Sequence, residues 1–192
     1  MADFLKAYAL TREFEGGYVN DPADPGGETY KGIARRKQPR WQGWAIIDGL
    51  KKNADFPALL YKNTTLNAMV LDFYKHEFWD FLCCDSIQSQ AVAYELFDTA
   101  VNMGRETAAT FLQQALNVAN NNGKLYADIA EDGDIGPATL AAFHKHPNPQ
   151  TILKILNVLQ GARYINIARN NPSQEKYING WFKRVFELDM AA

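Results

Sequence analysis

Val92-Ala93-Tyr94-Glu95-Leu96-Phe97-Asp98-Thr99-Ala100-Val101-Asn102-Met103-Gly104 is the stretch that decides the fold. Val92, Leu96, Phe97, Ala100 and Val101 recur at the spacing of one helical face, and Gly104 is suited to end the helix because it lacks a Cβ. The pattern then repeats. Ala108, Phe111, Leu112, Ala115 and Leu116 make a second stripe, and Asn148-Pro149 opens a third with Ile152, Leu153, Leu156 and Leu159. Asn171-Pro172 opens a last one carrying Tyr177, Ile178, Trp181, Phe182 and Val185. Proline is tolerated at a first helical position, where its missing N–H would have no partner anyway. Upstream, Asp3 can cap a short helix bearing Phe4, Leu5, Tyr8, Ala9 and Phe14, which Gly16 and Gly17 end. Strand alternation is nearly absent, leaving room for a small hairpin around Val19 to Ile33. The fold class is mainly α.

With 192 residues, 47% hydrophobic and 12% aromatic, the chain can bury a sizeable core. A net charge of −2 gives no global drive toward nucleic acid or an anionic membrane. Arg35, Arg36, Lys37, Arg40, Lys51 and Lys52 surround Trp41 and Trp44, but this basic run is short, and no nucleic-acid partner is expected. Trp41 and Trp44 could line a glycan groove by stacking on sugar rings or pack a short helix onto the core. Cys83 and Cys84 are adjacent, which suits buried small residues better than a cross-link. His76, His144 and His146 lack metal-ligand or triad spacing, and the Asp132/Asp134 pair lacks further ligands at calcium-loop spacing. No metal or cofactor is expected. No window is long and apolar enough to cross a bilayer, and no basic segment followed by an apolar one opens the chain, so neither membrane insertion nor general secretory export is expected.

The chemistry concentrates near the N-terminus. Glu15 falls at the end of the first helix, and Asp21, Asp24, Glu28 and Thr29 follow within fourteen residues. Cleaving a glycosidic bond needs a carboxylic acid to protonate the departing oxygen and a second polar group to place water or stabilise positive charge on the sugar. The negative end of a helix dipole, with Phe14 and Tyr18 excluding water, favours the protonated form that a general acid requires. Asp21-Pro22 and Asp24-Pro25-Gly26-Gly27 specify a turn of fixed shape, since proline extends each preceding aspartate and the glycines permit a reversal.

Glu15-Gly16-Gly17-Tyr18, then Asn20-Asp21-Pro22-Ala23-Asp24-Pro25-Gly26-Gly27-Glu28-Thr29, then Gly32-Ile33, resembles the signature of glycoside hydrolase family 108. Its members are N-acetylmuramidases, and some are labelled secretion activator proteins. The resemblance implies a lysozyme-like helical fold, peptidoglycan glycan strands as substrate and Glu15 as general acid. The acid, Asp24 and Thr29 are also similar in spacing to the Glu-Asp-Thr arrangement of phage-type lysozymes, which implies a water-placing role for Thr29. Tyr18, Trp41 and Trp44 are the candidate substrate contacts. Tyr30-Lys31 departs from the Asn-Tyr-like pair expected before Gly32-Ile33.

Asn102-Met103-Gly104, Phe111 to Asn117, and Asp132-Gly133-Asp134-Ile135-Gly136-Pro137-Ala138-Thr139-Leu140 resemble a peptidoglycan-binding module that accompanies this family. The expectation is therefore a catalytic region over 1–95 and a peptidoglycan-binding-like region over 96–192, packed as one body with no linker between them, in a monomer. The resemblance further implies synthesis in a bacterial or phage-infected cytoplasm and passage to the wall by a holin, secretion machinery or lysis. The rival reading is a non-catalytic wall-binding or secretion-assisting protein that keeps the fold.

Overall fold

The structure, a computed structural model, describes residues 1–12, 17–21 and 26–187. The chain divides into two compact units, one formed by Tyr8–Glu77 and the other by Met1–Ala7 together with Phe78–Ala192. Mainly α architecture with a small sheet is what the helical stripes predict.

In the Tyr8–Glu77 unit, the latter part of α1 (Phe4–Arg12) leads to three short antiparallel strands, β1 (Tyr18–Val19), β2 (Thr29–Tyr30) and β3 (Ile33–Ala34), ordered β1-β2-β3. Tyr18 pairs with Tyr30, Val19 with Thr29, and Tyr30 with Ile33. The predicted hairpin thus gains a third strand. The β2–β3 turn is Lys31-Gly32, both at positive φ (45° and 79°), the backbone of a tight two-residue hairpin connection. Then come α2 (Gly43–Leu50), α3 (Ala58–Lys62) and α4 (Thr64–Tyr74), with Asn63 capping α4 by accepting from Leu66 N–H at 2.8 Å. Tyr30, Ile33, Trp44, Ile47, Leu60, Leu66 and Val70 fill the core of this unit.

The other unit is a packed set of longer helices. A π-helical stretch, Lys75–Asp80, continues from α4, and the chain enters α5 (Gln90–Met103) after Ser89, whose hydroxyl accepts from Val92 N–H. Gly104, at φ 95°, ends α5 and starts α6 (Arg105–Ala119). α7 (Pro137–Lys145) and α8 (Pro149–Asn170) both begin on proline, and Asn148 caps α8 through bonds from Gln150 and Thr151 N–H. α5, α6 and α8 pack on one another through Val92, Leu96, Ala108, Leu112, Leu116, Ile152 and Leu156, all buried. Residues 1–7 join this unit: Phe4 meets Trp79 and Phe97 edge-on, with ring centroids 5.6 and 5.8 Å away.

Two helices differ from the sequence expectation. α1 buries Phe4, Ala7 and Thr11, while Leu5 and Ala9 face solvent, because the polar Thr11 takes a core position that an apolar tally passes over. The segment after Asn171 begins as a 3-10 turn (Pro172–Tyr177), and α9 (Ile178–Glu187) starts only at Ile178. Tyr177 is consequently exposed, while Val185 is buried.

α5 also carries charge into the core. Asp98 is fully buried, with Oδ1 accepting from Arg184 Nη1 of α9 at 3.0 Å and Oδ2 from Gln160 Nε2 of α8 at 3.2 Å. Gln160 Nε2 also donates to Thr99 Oγ1, which donates to Glu95 Oε1 at 3.1 Å. Burying charge is tolerable only with partners of this kind.

Candidate functional site

Glu15 and Asp24 lie outside the described residues; the structure describes what surrounds their places in the chain. The backbone leaves the Glu15 segment through Gly17 and enters β1 at Tyr18. The Gly17–Tyr18 peptide is held at both of its polar atoms. Gly17 C=O accepts from Lys31 N–H at 3.1 Å, and Tyr18 N–H donates to the Tyr61 hydroxyl at 3.0 Å. Tyr61 lies so close over Gly17 that a Cβ there would run into its hydroxyl, which explains why glycine occupies the position.

Tyr61 comes from α3, which is itself braced. Leu60 is buried and its carbonyl accepts from Tyr30 Oη at 3.2 Å, while Tyr61 C=O accepts from Asn67 Nδ2 of α4 at 3.0 Å. Asn67 Oδ1 in turn accepts from Lys31 Nζ at 2.7 Å, and Tyr74 Oη donates to Lys31 C=O at 2.8 Å. Lys31 thus sits in a left-handed conformation that costs a non-glycine residue on the order of 1–3 kcal/mol, held there by groups from α4. Burial pushes the Tyr30 phenol up to about 12, so it remains a neutral donor in the core.

A second network fixes the other end of the turn. The Glu28 side chain is 9% exposed, with Lys51 Nζ 2.8 Å from Oε1 and Arg35 Nε 2.9 Å from Oε2. Tyr18 Oη donates to Glu28 Oε1 at 2.9 Å, and burial followed by this bond raises the phenol above its ordinary value. Arg35 also reaches Asp48 with both terminal nitrogens, at 3.0 and 2.8 Å. Hydrogen bonds from Arg35 and then Lys51 hold the half-exposed Asp48 carboxyl at about 2. Arg35 and Lys51, two of the cations in the basic run, are therefore committed to carboxylates within the fold.

Thr29 stands on the central strand, half-buried, its hydroxyl donating to Gly27 C=O at 3.1 Å. Tyr18 is half-buried, its ring edge-on to Phe56 at 4.8 Å and its hydroxyl engaged by Glu28. Trp41 is half-exposed, lies against Gly43 and meets Trp44 edge-on at 5.2 Å. Trp44 corrects one of the two readings open to it. It is 4% exposed, its Nε1–H donates to Gln38 C=O at 2.7 Å and Arg35 covers its ring at 4.5 Å, so it is a core residue with no face left for a sugar. The sequence offered no signal for Tyr61 and Asn67, which stand far from the Glu15 motif in the chain. Glu28 was visible within the motif, but its cationic partners were not.

In the other unit, Asp132 belongs to a turn held by protein groups: its Oδ1 accepts from Gln113 Nε2 at 2.7 Å and from Asp134 N–H at 3.1 Å. Among the described residues no cluster of metal-ligating side chains occurs, and no helix is long and apolar enough to cross a membrane.

The model of the family described as Glycosyl hydrolase 108 matches residues 8–104, the stretch that contains the Glu15 motif and the groups bracing it. The chain belongs to this family. Next to that glycosyl hydrolase 108 region, residues 107–186 match a family described as "Predicted Peptidoglycan domain". Among solved structures, this glycosyl hydrolase 108 chain is similar to SagA of Brucella abortus, with 25% identity and a TM-score of 0.61 over 96% of this chain and 90% of that one. A comparison with curated proteins finds no match.

Proposed function

We propose that the protein is a lysozyme-like peptidoglycan hydrolase, an N-acetylmuramidase cleaving the β-1,4 bond between N-acetylmuramic acid and N-acetylglucosamine. The observation that carries this reading is the family match over 8–104, which falls on the Glu15-Gly16-Gly17-Tyr18 motif and is followed by a peptidoglycan domain. Glu15 is the general acid, giving its proton to the glycosidic oxygen as the bond breaks. Asp24 acts with it as the second carboxylate, and Thr29 positions the attacking water. The phage-lysozyme-like spacing favours inversion, in which Asp24 serves as base rather than nucleophile. The half-exposed Trp41 and Tyr18, half-buried beside Glu28, are the candidate glycan contacts. The enzyme reaches the wall by a holin, a secretion machine or lysis and works as a monomer.

Digestion of purified walls with analysis of the new reducing ends tests the reading. Ends on N-acetylmuramic acid are expected, and ends on N-acetylglucosamine would refute the bond assignment. Glu15→Gln keeps the shape and removes the proton, so turnover should fall by at least about 10²-fold with the melting temperature unchanged. Full-length protein that binds walls but releases no fragments would favour the non-catalytic wall-binding alternative.

A further inference from the structure

The Gly17–Tyr18 peptide lies immediately beyond the Glu15-Gly16 segment, and glycines carry no side chain by which neighbouring groups could hold such a segment in place. A general acid displaced by about 1 Å can lose on the order of 10²-fold in rate, so a chain of this composition needs an external hold. The two hydrogen bonds on the Gly17–Tyr18 peptide supply one. Lys31 grips the carbonyl from the β2–β3 turn and Tyr61 grips the N–H from α3. Asn67 ties the two grips together, donating to Tyr61 C=O and accepting from Lys31 Nζ.

A surface ornament would look different. Tyr61 is 46% exposed, yet its hydroxyl is spent on a backbone N–H, its carbonyl is bonded to Asn67 and its hydroxyl end fills the space over Gly17. Lys31 accepts a strained backbone in the same cluster. Backbone strain held by surrounding groups is found where geometry serves function.

We infer that Tyr61 is a positioning residue for the acid: braced by Asn67, it holds the Gly17–Tyr18 peptide through which the chain runs from Glu15 into β1. The inference rests on Glu15 being the acid. In this role Tyr61 acts through the main chain: its hydroxyl is the acceptor for a main-chain donor that would otherwise turn to water.

Tyr61→Phe keeps the ring and removes only the acceptor. The full-length variant is expected to digest walls with kcat lowered about ten-fold, the factor that corresponds to roughly 1.4 kcal/mol of lost transition-state stabilisation, and with KM unchanged. Asn67→Leu, which removes the brace, should lower kcat in the same direction by less, again with KM unchanged. A lowered melting temperature with an unchanged kcat would overturn the inference, reducing Tyr61 to packing. Normal kcat in Tyr61→Phe, alongside an inert Glu15→Gln, would overturn it while leaving the hydrolase reading intact. Wild-type activity in Glu15→Gln would remove the acid assignment and this inference together.

Discussion

The Tyr8–Glu77 unit and the helical unit are stabilised by different means. In the first, two-residue strands and a five-residue helix cannot bury enough apolar surface to fix themselves, and single hydrogen bonds between distant residues locate them: Tyr61 on Tyr18, Tyr30 on Leu60, Asn67 on Tyr61. In the second, α5, α6 and α8 are long enough to present continuous stripes, and the buried Asp98–Arg184–Gln160 cluster is set among them. A unit of short elements is specified bond by bond, whereas one of long helices is specified by periodicity. The contrast predicts that deletions and core charges will decide the helical unit, while deletion of one polar atom at a time will decide the other.

The largest effect tests whether the family-matched stretch can stand alone. Residues 1–104 end at α5 and lack α6 and α8, on which α5 packs with every residue from Val92 to Ala100 buried. This fragment should show no cooperative unfolding and no wall digestion, because that apolar face would lie in water. A soluble, cooperatively melting, active fragment would show that the helical unit is dispensable and break the comparison.

Next in size is the buried ion pair. Arg184→Met strands the Asp98 carboxylate in the core and should cost about 3–5 kcal/mol in urea unfolding. Asp98→Leu combined with Arg184→Met should recover most of that loss, since two apolar residues leave no stranded charge. Equal destabilisation in the single and double variants would mean that the charges contribute beyond their mutual pairing.

The smallest effect belongs to the Asp48 carboxyl of the other unit. Its folded-state value, about 2, lies below the usual 3.8, so its pairing contributes stability that is fully present above 3.8 and lost as the pH falls through 2. Because Asp48 is half-exposed, solvent screening should hold the contribution under about 1 kcal/mol. Asp48→Asn should therefore flatten this acid limb slightly in unfolding midpoints measured across that window. A steep limb unchanged by the substitution would place the acid sensitivity elsewhere.

The same contrast explains what could be read in advance. The start of α8 and the stop of α5 at Gly104 follow from local residue chemistry, in which Asn148-Pro149 and a glycine at φ 95° each act within their own turn. Glu95 and Asp98 were not legible as core residues, because Gln160 and Arg184, which bond Thr99 and Asp98, reach α5 only after α8 and α9 have packed. Near the candidate site, the motif from Glu15 to Ile33 announced its chemistry by residue type. Its supports did not, since nothing in the local sequence around Tyr61 or Asn67 distinguishes them from ordinary helix residues. Trp44 could be assigned to the core only once Gln38 and Arg35 were seen on either side of it.

The early segment 1–7 belongs to the unit completed by residues from Phe78 onward. On a ribosome adding about 5–20 residues per second, Phe4 is made roughly 4–15 s before Trp79 and roughly 5–19 s before Phe97, the rings it will rest against. The Tyr8–Glu77 unit leaves the exit tunnel whole while the first turn of α1 is still waiting for its site. Synthesis therefore proceeds from the inside of a split unit outward: the interposed stretch can settle first, and the N-terminal turn docks last although it was made first. A nascent chain arrested before Trp79 has left the tunnel should consequently leave Phe4 open to chaperones or proteases, and one arrested after Phe97 has left it should begin to shelter it.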